Sequence, residues 1–305
     1  MQIVSLFSGA GGLDLGFINA GHEVIWANDN DKDSCETYKL NIGNHIIHND
    51  IQQLNIEDIP DCDAIIGGFP CQGFSMANRQ RKADDERNVL YKFFKLIVEK
   101  KRPRYFIAEN VRGILSLDGG NAIKTIVNDF AEAGYRVKFQ KFNTADYGVP
   151  QARIRVIIVG SRNDLPEDLD FQFPQPTHDK NEWKSIGATL KEIPSTEIPN
   201  LKNQVFSSYK LNFKNYIGHR VTDPEKPSPT ILARGNGKGG VCAIPHPFLE
   251  RRLSVRESAI MQTFPLEFEF IGSMGSMYRQ VGNAVPVLFA QHLGLKLKEL
   301  EMVEV

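Results

Sequence analysis

Residues 2–29 read QIVSLFSGAGGLDLGFINAGHEVIWAND, and this stretch contains a complete strand, turn, helix and strand. Residues 2–7 are apolar and rich in β-forming types, residues 11–21 carry apolar side chains at helical spacing, and residues 23–29 are strand-like again. Glycines separate the first strand from the helix, as a sharp turn requires. A strand followed by a helix and a second strand predicts an α/β protein with a parallel sheet.

The same alternation continues to about residue 163. Helical patterns occur at 31–41, 88–100 and 121–134, and strand-like runs occur at 45–51, 105–110 and 155–160. The sequence therefore predicts a doubly wound, mostly parallel, Rossmann-like sheet with helices on both faces. After residue 163 proline becomes frequent and helical periodicity disappears until about residue 254, which predicts a second, smaller and irregular domain.

Composition and cysteine usage exclude several classes of protein. No run approaches eighteen apolar residues, and the start MQIVSLFSG has no basic region, so we expect neither a membrane span nor a signal peptide. The cysteines at positions 35, 62, 71 and 242 are scattered without a CxxC pair, which indicates neither a disulfide framework nor a zinc site. We expect no metal, and a reducing cytoplasm fits best.

Charge is distributed unevenly along the chain. Residues 1–60 hold nine acidic side chains and two lysines, whereas residues 201–256 hold ten basic and three acidic side chains. A basic stretch is often only a solvated surface. The opposite balances nevertheless indicate two partners of different character, and the basic segment is a candidate for binding a phosphate backbone.

The glycine turn and two strand-end acids point to a nucleoside ligand. Gly9, Gly11 and Gly12 would let a ligand approach backbone N–H groups at a helix N-terminus. The dinucleotide pattern G-x-G-x-x-G is not cleanly met, which counts against NAD. Asp29 and Asp50 end the next two strands, where they could bind ribose hydroxyls and an adenine amino group. Each could equally cap a helix or turn, but the ordered set favours an adenosyl ligand without pyrophosphate.

A second group of reactive side chains is predicted at neighbouring strand ends. Cys71 follows a short apolar run and two glycines, Glu109 ends the strand at 105–110, and Arg153 precedes the strand at 155–160. A thiolate can attack C6 of a pyrimidine while Arg153 holds O2 and Glu109 contacts N3 and the 4-amino group. The alternatives are a cysteine that fills a turn and a structural Arg153–Glu109 ion pair.

Six motifs together resemble the cytosine-C5 DNA methyltransferases of bacterial restriction–modification systems. They are FSGAGGLDLGF (7–17), GGFPCQGFS (67–75), ENV (109–111), QARIRV (151–156), RRLSVRESAIMQTFP (251–265) and GNAVP (282–286), in the order of that family. The resemblance implies that a cytosine is flipped out of duplex DNA, attacked by Cys71 at C6 and methylated at C5 from S-adenosylmethionine. The sequence departs from the family pattern at Asp29, where Glu is usual, and at Thr263, where Gly is common.

The resemblance also implies a domain layout and a set of site residues. It predicts a discontinuous catalytic and cofactor-binding domain, 1–165 plus 280–305, and a target-recognition domain with a hinge, 166–279. GNAVP would open the last helix, and Gln151 and Arg155 would support the loop that carries Cys71. The family's cofactor positions correspond to Phe7, Gly9, Ala10, Gly11, Gly12, Asp29, Asn30, Asp50, Ile51, Pro70, Leu90, Asn283 and Val285.

Three glycine-containing or basic stretches correspond to DNA-contacting loops in the family. Residues 72–88 would close over the flipped base, and residues 218–220 and 228–240 would read base edges. Each could instead be an ordinary solvated or glycine-rich turn. The candidate DNA-binding residues are Ser75, Arg79, Arg81, Arg220, Thr230, Arg234, Asn236 and Lys238.

Several functions remain open at this stage. The leading hypothesis is a monomeric modification enzyme that acts on double-stranded DNA in the bacterial cytoplasm, at the nucleoid, with a separate restriction endonuclease as a candidate partner. A tRNA methyltransferase of the same family would carry a Cys-Phe-Thr motif, which this sequence lacks. A DNA-binding regulator without catalysis is disfavoured by the intact Cys71, Glu109 and Arg153, and a nucleotide-binding oxidoreductase is weaker still.

Overall fold

The computed structural model describes residues 1–70, 89–192, 201–207, 221–233 and 244–303. The strands in these ranges are β1 (Gln2–Leu6), β2 (Glu23–Asp29), β3 (Ile46–His48), β4 (Ala64–Gly67), β5 (Tyr105–Val111), β6 (Tyr135–Asn143), β7 (Gln151–Ala152), β8 (Ile154–Arg162) and β9 (Ser228–Pro229). The α-helices are α1 (Gly12–Asn19), α2 (Lys32–Asn41), α3 (Val89–Lys101), α4 (Asn121–Glu132), α5 (Ile186–Glu192), α6 (Val255–Met261), α7 (Met274–Asn283) and α8 (Val287–Val303).

Seven of the strands form one sheet in the order β3-β2-β1-β4-β5-β8-β6. The first five run parallel, β8 is antiparallel to β5, and β6 is antiparallel to β8. The predicted doubly wound, mostly parallel sheet is confirmed, and β6 is an additional edge strand that was not among the predicted strands. Because the strand order reverses between β1 and β4, a crevice is expected at their carboxyl ends.

Apolar side chains cover both faces of the sheet, because neighbouring residues of a strand point to opposite sides. Ile3 of β1 belongs to a core formed with α1 and α8, whereas Val4 belongs to a core formed with α3 and α4. Helices α1 and α8 pack closely, since a Cβ on Gly16 would lie 2.3 Å from Cβ of Ala290. The amino-terminal and carboxyl-terminal ends of the chain therefore share one core.

The prediction that GNAVP opens the last helix is wrong. Asn283 is the final residue of α7, and α8 begins only at Val287. Residues 284–286 form an extended connector, with Ala284 at φ −58° and ψ 145°. The physical reason is Pro286, which disfavours a helical conformation at the residue before it and is well suited to a helix start.

Thr263, where the family commonly has glycine, occupies a left-handed backbone conformation with φ 59°. Glycine adopts this conformation without strain, which accounts for its frequency there. In this chain the threonine hydroxyl donates to the carbonyl of Gln262 at 2.7 Å and accepts from N–H of Leu288 at 2.9 Å. The side chain therefore caps the first turn of α8 and offsets part of the backbone strain.

The proline-rich part of the chain contributes a third apolar cluster. It contains side chains of α5, α6 and α7, including Ile186, Met261 and Tyr278. Ala10 of the glycine turn and Val287 of α8 belong to the same cluster, so this region contacts the sheet close to the predicted cofactor site. None of the helices in the described ranges combines the length and the apolar character that a bilayer crossing requires.

Candidate active site

The glycine turn after β1 is held in a strained conformation. Phe7, Gly9 and Gly11 all have positive φ, at 56°, 55° and 89°. Positive φ is uncommon for phenylalanine, and such strain concentrates at ligand sites. The N–H of Gly9 donates to Oδ2 of Asp29 at 2.8 Å, so the turn is tied to the end of β2.

Asp29 serves two backbone groups at once. Its Oδ1 accepts from N–H of Asp31 at 2.8 Å, while Oδ2 accepts from Gly9. Burial raises the pKa of this carboxyl, although the backbone amides of Asp31, Gly9 and Asn30 oppose the shift. A carboxylate has about four lone-pair sites on its two oxygens, so acceptor capacity remains for a ligand hydroxyl.

Asp50 lies two residues after the end of β3, and Asn28, which was not predicted as a site residue, holds the backbone of this strand end. Oδ1 of Asp50 accepts from N–H of Gln52 at 3.0 Å, so the capping interpretation holds for one of its oxygens. The buried amide of Asn28 donates to the carbonyls of Ile47 and Asn49, both at 2.9 Å. A polar residue at a buried strand position directly before Asp29 is the signal that could have revealed Asn28.

Apolar groups and the α7–α8 connector complete the crevice. Phe7, Leu90 and Trp26 are partly exposed and pack against the core below them, next to the buried Ile51. A Cβ on Gly12 would lie 2.5 Å from the carbonyl oxygen of Val285, so the glycine turn and the connector touch directly. Backbone amides, strand-end carboxylates and partly exposed rings are a donor set that fits an adenosyl ligand.

Glu109 and Arg155 form an ion pair at the carboxyl end of β5. Arg155 Nε contacts Glu109 Oε1, and the two side chains are only 10% and 12% exposed. The strand pairing explains this contact. Val111 of β5 lies opposite Arg155 of β8, and Glu109, two residues before Val111, points to the same face of the sheet. The other carboxylate oxygen, Oε2, faces β4, since a Cβ on Gly68 would lie 3.1 Å from it.

Asn110 fixes the chain just before Cys71. Its buried Nδ2 donates to the carbonyl of Phe69 at 3.1 Å, and its Oδ1 accepts from N–H of Val111. Residues 67–70 are therefore anchored beside Glu109, and Cys71 follows Pro70 directly in the chain. Asn110 belongs to the ENV motif but was not among the predicted site residues.

The alternative of an Arg153–Glu109 ion pair is wrong, because Glu109 pairs with Arg155. Arg153 is 1% exposed, and its two terminal nitrogens donate to the carbonyls of Ile231 and Gly282, each at 2.9 Å. Gln151, which is fully buried, binds Gln262 and the backbone of Ile231. Arg155 is therefore the arginine that this geometry brings to Glu109.

Thr230 is the one candidate DNA-binding residue within the described ranges. Its hydroxyl donates to the carbonyl of Ala152 at 2.9 Å, so only its acceptor lone pairs are left for another partner. The other predicted residues at or near DNA, and the predicted nucleophile, lie outside the described residues: Cys71, Ser75, Arg79, Arg81, Arg220, Arg234, Asn236 and Lys238.

Comparison with known proteins gives a consistent result. Residues 1–299 match the family described as C-5 cytosine-specific DNA methylase. The chain is 41% identical to Type II methyltransferase M.NgoFVII of Neisseria gonorrhoeae, over 93% of this chain and 83% of the relative. It is 37% identical to Type II methyltransferase M.FnuDI of Fusobacterium nucleatum, over 98% and 94%.

Two solved structures share the fold. A DNA modification methyltransferase encoded within an E. coli prophage superposes with a TM-score of 0.70 and 25% identity, over 99% of both chains. The Dnmt2 methyltransferase of S. pombe superposes with a TM-score of 0.74 and 22% identity, over 98% of this chain and 99% of that one. The second likeness bears on the fold alone.

Proposed function

The chain belongs to the C-5 cytosine-specific DNA methylase family, and from this premise we propose that Cys71, Glu109 and Arg155 are its catalytic residues. It transfers a methyl group from S-adenosylmethionine to C5 of cytosine in DNA. We propose that it is sequence-specific and works as the modification enzyme of a restriction–modification system, or as an orphan relative of one.

The proposed chemistry uses each of the three side chains at a defined atom. The Cys71 thiolate bonds to C6 of the flipped-out base, Glu109 hydrogen-bonds N3, and Arg155 draws negative charge toward O2. C5 thereby gains electron density and would take the electrophilic methyl group of S-adenosylmethionine, whose S–CH3 bond breaks to leave S-adenosylhomocysteine as the product. A base then removes the C5 proton, the C6–S bond breaks, and the thiolate returns.

The observation that carries this proposal is the Glu109–Arg155 pair beside Gly68. The carboxylate and the guanidinium face each other at the carboxyl ends of β4 and β5, and Gly68 lies three residues before Cys71. Both side chains are largely withdrawn from water, so their charges act on a bound base with little screening. A structural ion pair would need no such position next to the loop that holds a cysteine.

The function is tested with methyl-labelled cofactor on duplex DNA and on tRNA. We expect label in DNA, confined to cytosines at one short sequence that bisulfite sequencing then identifies. DNA with 5-fluorocytosine at that site should trap a covalent complex, because the C5 proton can no longer be removed. Label in tRNA alone would make the chain an RNA methyltransferase, and scattered label without a preferred sequence would exclude a modification enzyme.

Fewer basic side chains of the segment 201–256 are available to contact DNA than its charge balance indicated. Arg251 forms an ion pair with Glu257 at 2.7 Å, Arg252 stacks over Tyr278, and Arg256 is buried. The DNA-contact proposal rests instead on basic residues of this segment that lie outside the described ranges, which are Lys210, Lys214, Arg220, Arg234 and Lys238.

Arg234→Ala is expected to reduce discrimination between DNA sequences. An arginine bidentate to guanine contributes about 1–3 kcal/mol, and its loss should weaken binding mainly at the methylated site. Lys202→Ala is the matched control, because Lys202 is exposed and its Nζ pairs with Glu269 at 3.1 Å. The measurement is a pair of titrations with cognate and non-cognate duplexes at two salt concentrations. An equal loss on both duplexes would make Arg234 a phosphate contact.

Asp29→Ala is expected to weaken binding of S-adenosylmethionine by about 10–150-fold. This corresponds to the loss of about 1.5–3 kcal/mol for a hydrogen bond to a charged group. Asp31→Ala is the control: Asp31 caps α2 and pairs with Arg279, so its loss perturbs the same turn without a ligand contact. Calorimetry gives the affinity of both variants for S-adenosylmethionine. Equal affinity losses would mean that Asp29 acts only through the backbone it holds.

We further propose the predicted domain layout, 1–165 plus 280–305 and 166–279, for this chain. The shared core of α1 and α8 supports the return of the chain to the first domain. We propose that the protein acts as a monomer on nucleoid DNA in a bacterial cytoplasm. Because its relatives are named Type II methyltransferases, we also propose that any restriction endonuclease acts separately.

A further inference from the structure

Arg153 is a buried arginine that joins two distant segments. One terminal nitrogen donates to the carbonyl of Ile231 and the other to the carbonyl of Gly282, each at 2.9 Å. Ile231 lies within the predicted recognition loop, 228–240, three residues before Arg234. Gly282 lies in α7, just before the connector that touches the glycine turn. A single planar side chain therefore holds both segments at once.

Two glutamines complete the same junction. Oε1 of Gln151 accepts from N–H of Ile231 at 2.8 Å, and its Nε2 donates to Oε1 of Gln262 at 2.8 Å. Nε2 of Gln262 in turn donates to the carbonyls of Val281 and Ala284, at 2.7 and 3.2 Å. Ile231 is thus held by both of its backbone polar groups.

The backbones meet directly at this junction. A Cβ on Gly282 would lie 2.3 Å from the backbone nitrogen of Ala233, which is closer than any side chain allows. Residues 151–152 also pair with residues 228–229 as β7 and β9. A displacement of the chain at 228–233 must therefore move α7 or the segment that leads into β8, because no gap separates them.

The charge of Arg153 is costly in this position. Burial lowers its pKa, and the neighbouring Arg155 lowers it further, while Glu109 acts in the opposite direction. Within the described residues no carboxylate lies within ion-pair distance of its guanidinium. A buried charge without a close counter-ion contributes little to stability compared with an apolar side chain of similar volume. What arginine adds here is two directed hydrogen bonds at a fixed angle.

We propose that Arg153 and Gln151 are positioning residues that couple the recognition segment to the cofactor connector and to Arg155. Arg155 follows Arg153 by two residues, and Val285 follows Gly282 by three. The arrangement of residues 228–233 on DNA then sets the positions of both the base-binding arginine and the connector. This inference rests on the proposed function, because it assumes that the segment from Ile231 onward meets DNA.

The test measures the coupling between two ligands. The affinity for S-adenosylhomocysteine is determined with and without a duplex that carries the site mapped for the wild-type protein. The ratio of the two constants is the coupling, which for linked sites is typically about 5–150-fold. We expect Arg153→Lys to bring this ratio to within about twofold of one, since lysine keeps the charge but loses the two-pronged contact.

Arg256→Lys provides the matched control. Arg256 is also fully buried and also donates to several carbonyls, at Lys202, Pro265 and Phe268, but it does not touch Ile231 or Gly282. We expect it to lower thermal stability and to keep the coupling ratio. If Arg153→Lys does not fold, Gln262→Met serves in its place, because it removes the bonds to Gln151, Val281 and Ala284 while keeping the volume.

Three outcomes would overturn the inference. They are a ratio that survives in the folded Arg153→Lys or Gln262→Met variant, a ratio lost equally in Arg256→Lys, and a wild-type protein that shows no coupling. A wild-type protein that methylates DNA but shows no coupling refutes this inference alone. A wild-type protein that does not methylate DNA refutes the proposed function.

Discussion

Cys71→Ser is expected to lower the rate of methyl transfer by about four orders of magnitude or more, as removal of a catalytic nucleophile does in other enzymes. The thiolate is the reactive form of cysteine, and a serine hydroxyl is a much weaker nucleophile toward C6 without a base to activate it. Binding of S-adenosylmethionine should stay within about threefold of wild type, because serine replaces cysteine at one side-chain atom and all predicted cofactor contacts except the adjacent Pro70 lie on other segments. Single-turnover methyl transfer and calorimetry give the two numbers.

A trapping experiment separates loss of the nucleophile from loss of DNA binding. Wild-type protein should form a denaturation-resistant complex with duplex DNA that contains 5-fluorocytosine at the methylated site. The serine variant should bind the same duplex without forming that complex. Turnover by the serine variant within a hundredfold of wild type would show that Cys71 is not the nucleophile.

The sequence was sufficient for the five parallel strands of the sheet, because each βα unit carries its own periodicity and glycine or a polar residue lies at or just after the end of each of these strands. Residues 2–29 alone specify β1, α1 and β2. The edge strand β6 was not among the predicted strands, although residues 135–140 read YRVKFQ and alternate apolar with polar types. This alternation is typical of a half-buried strand and is the signal that could have revealed β6. Residues 138–141 are exposed, as expected for a strand at the edge of a sheet.

The choice between Arg153 and Arg155 could not be made from sequence. The two arginines are two positions apart, so an alternating pattern places both on one side of an extended segment. In the structure β7 ends at Ala152 and β8 begins at Ile154, so Arg153 lies between two different sheets. The register of β8 against β5, which is a tertiary property, then brings Arg155 and not Arg153 to Glu109.

The start of α8 shows a different limit. Apolar spacing from residue 284 onward resembles a helix, but Pro286 and the extended Ala284 delay its first turn to Val287. The hydroxyl that caps this turn comes from Thr263, more than twenty residues earlier in the chain. A cap supplied by a distant residue leaves no local signal, since capping patterns concern only neighbouring positions.

Arg155→Met is expected to lower kcat by about 100–1000-fold while changing KM for DNA only a few-fold. Removal of one preorganised group that stabilises developing charge has an effect of this size. Charge at O2 develops only after Cys71 has bonded to C6, so Arg155 should act on the transition state more than on the bound substrate. Steady-state kinetics on the mapped duplex gives the two constants separately. Methionine keeps most of the side-chain volume, so packing against β5 is disturbed little.

Glu109→Gln provides the test of whether the two residues act as one unit. Alone it should cost a similar factor, because the carboxyl is the group proposed to contact N3 of the base. Residues in direct contact are strongly non-additive, and Arg155 Nε contacts Glu109 Oε1. The double variant should therefore be scarcely slower than the slower single variant. If the loss of kcat in the double variant equals the product of the two single losses, the two side chains act independently and their contact serves only the structure. An Arg155→Met enzyme within tenfold of wild-type kcat would remove Arg155 from the chemistry.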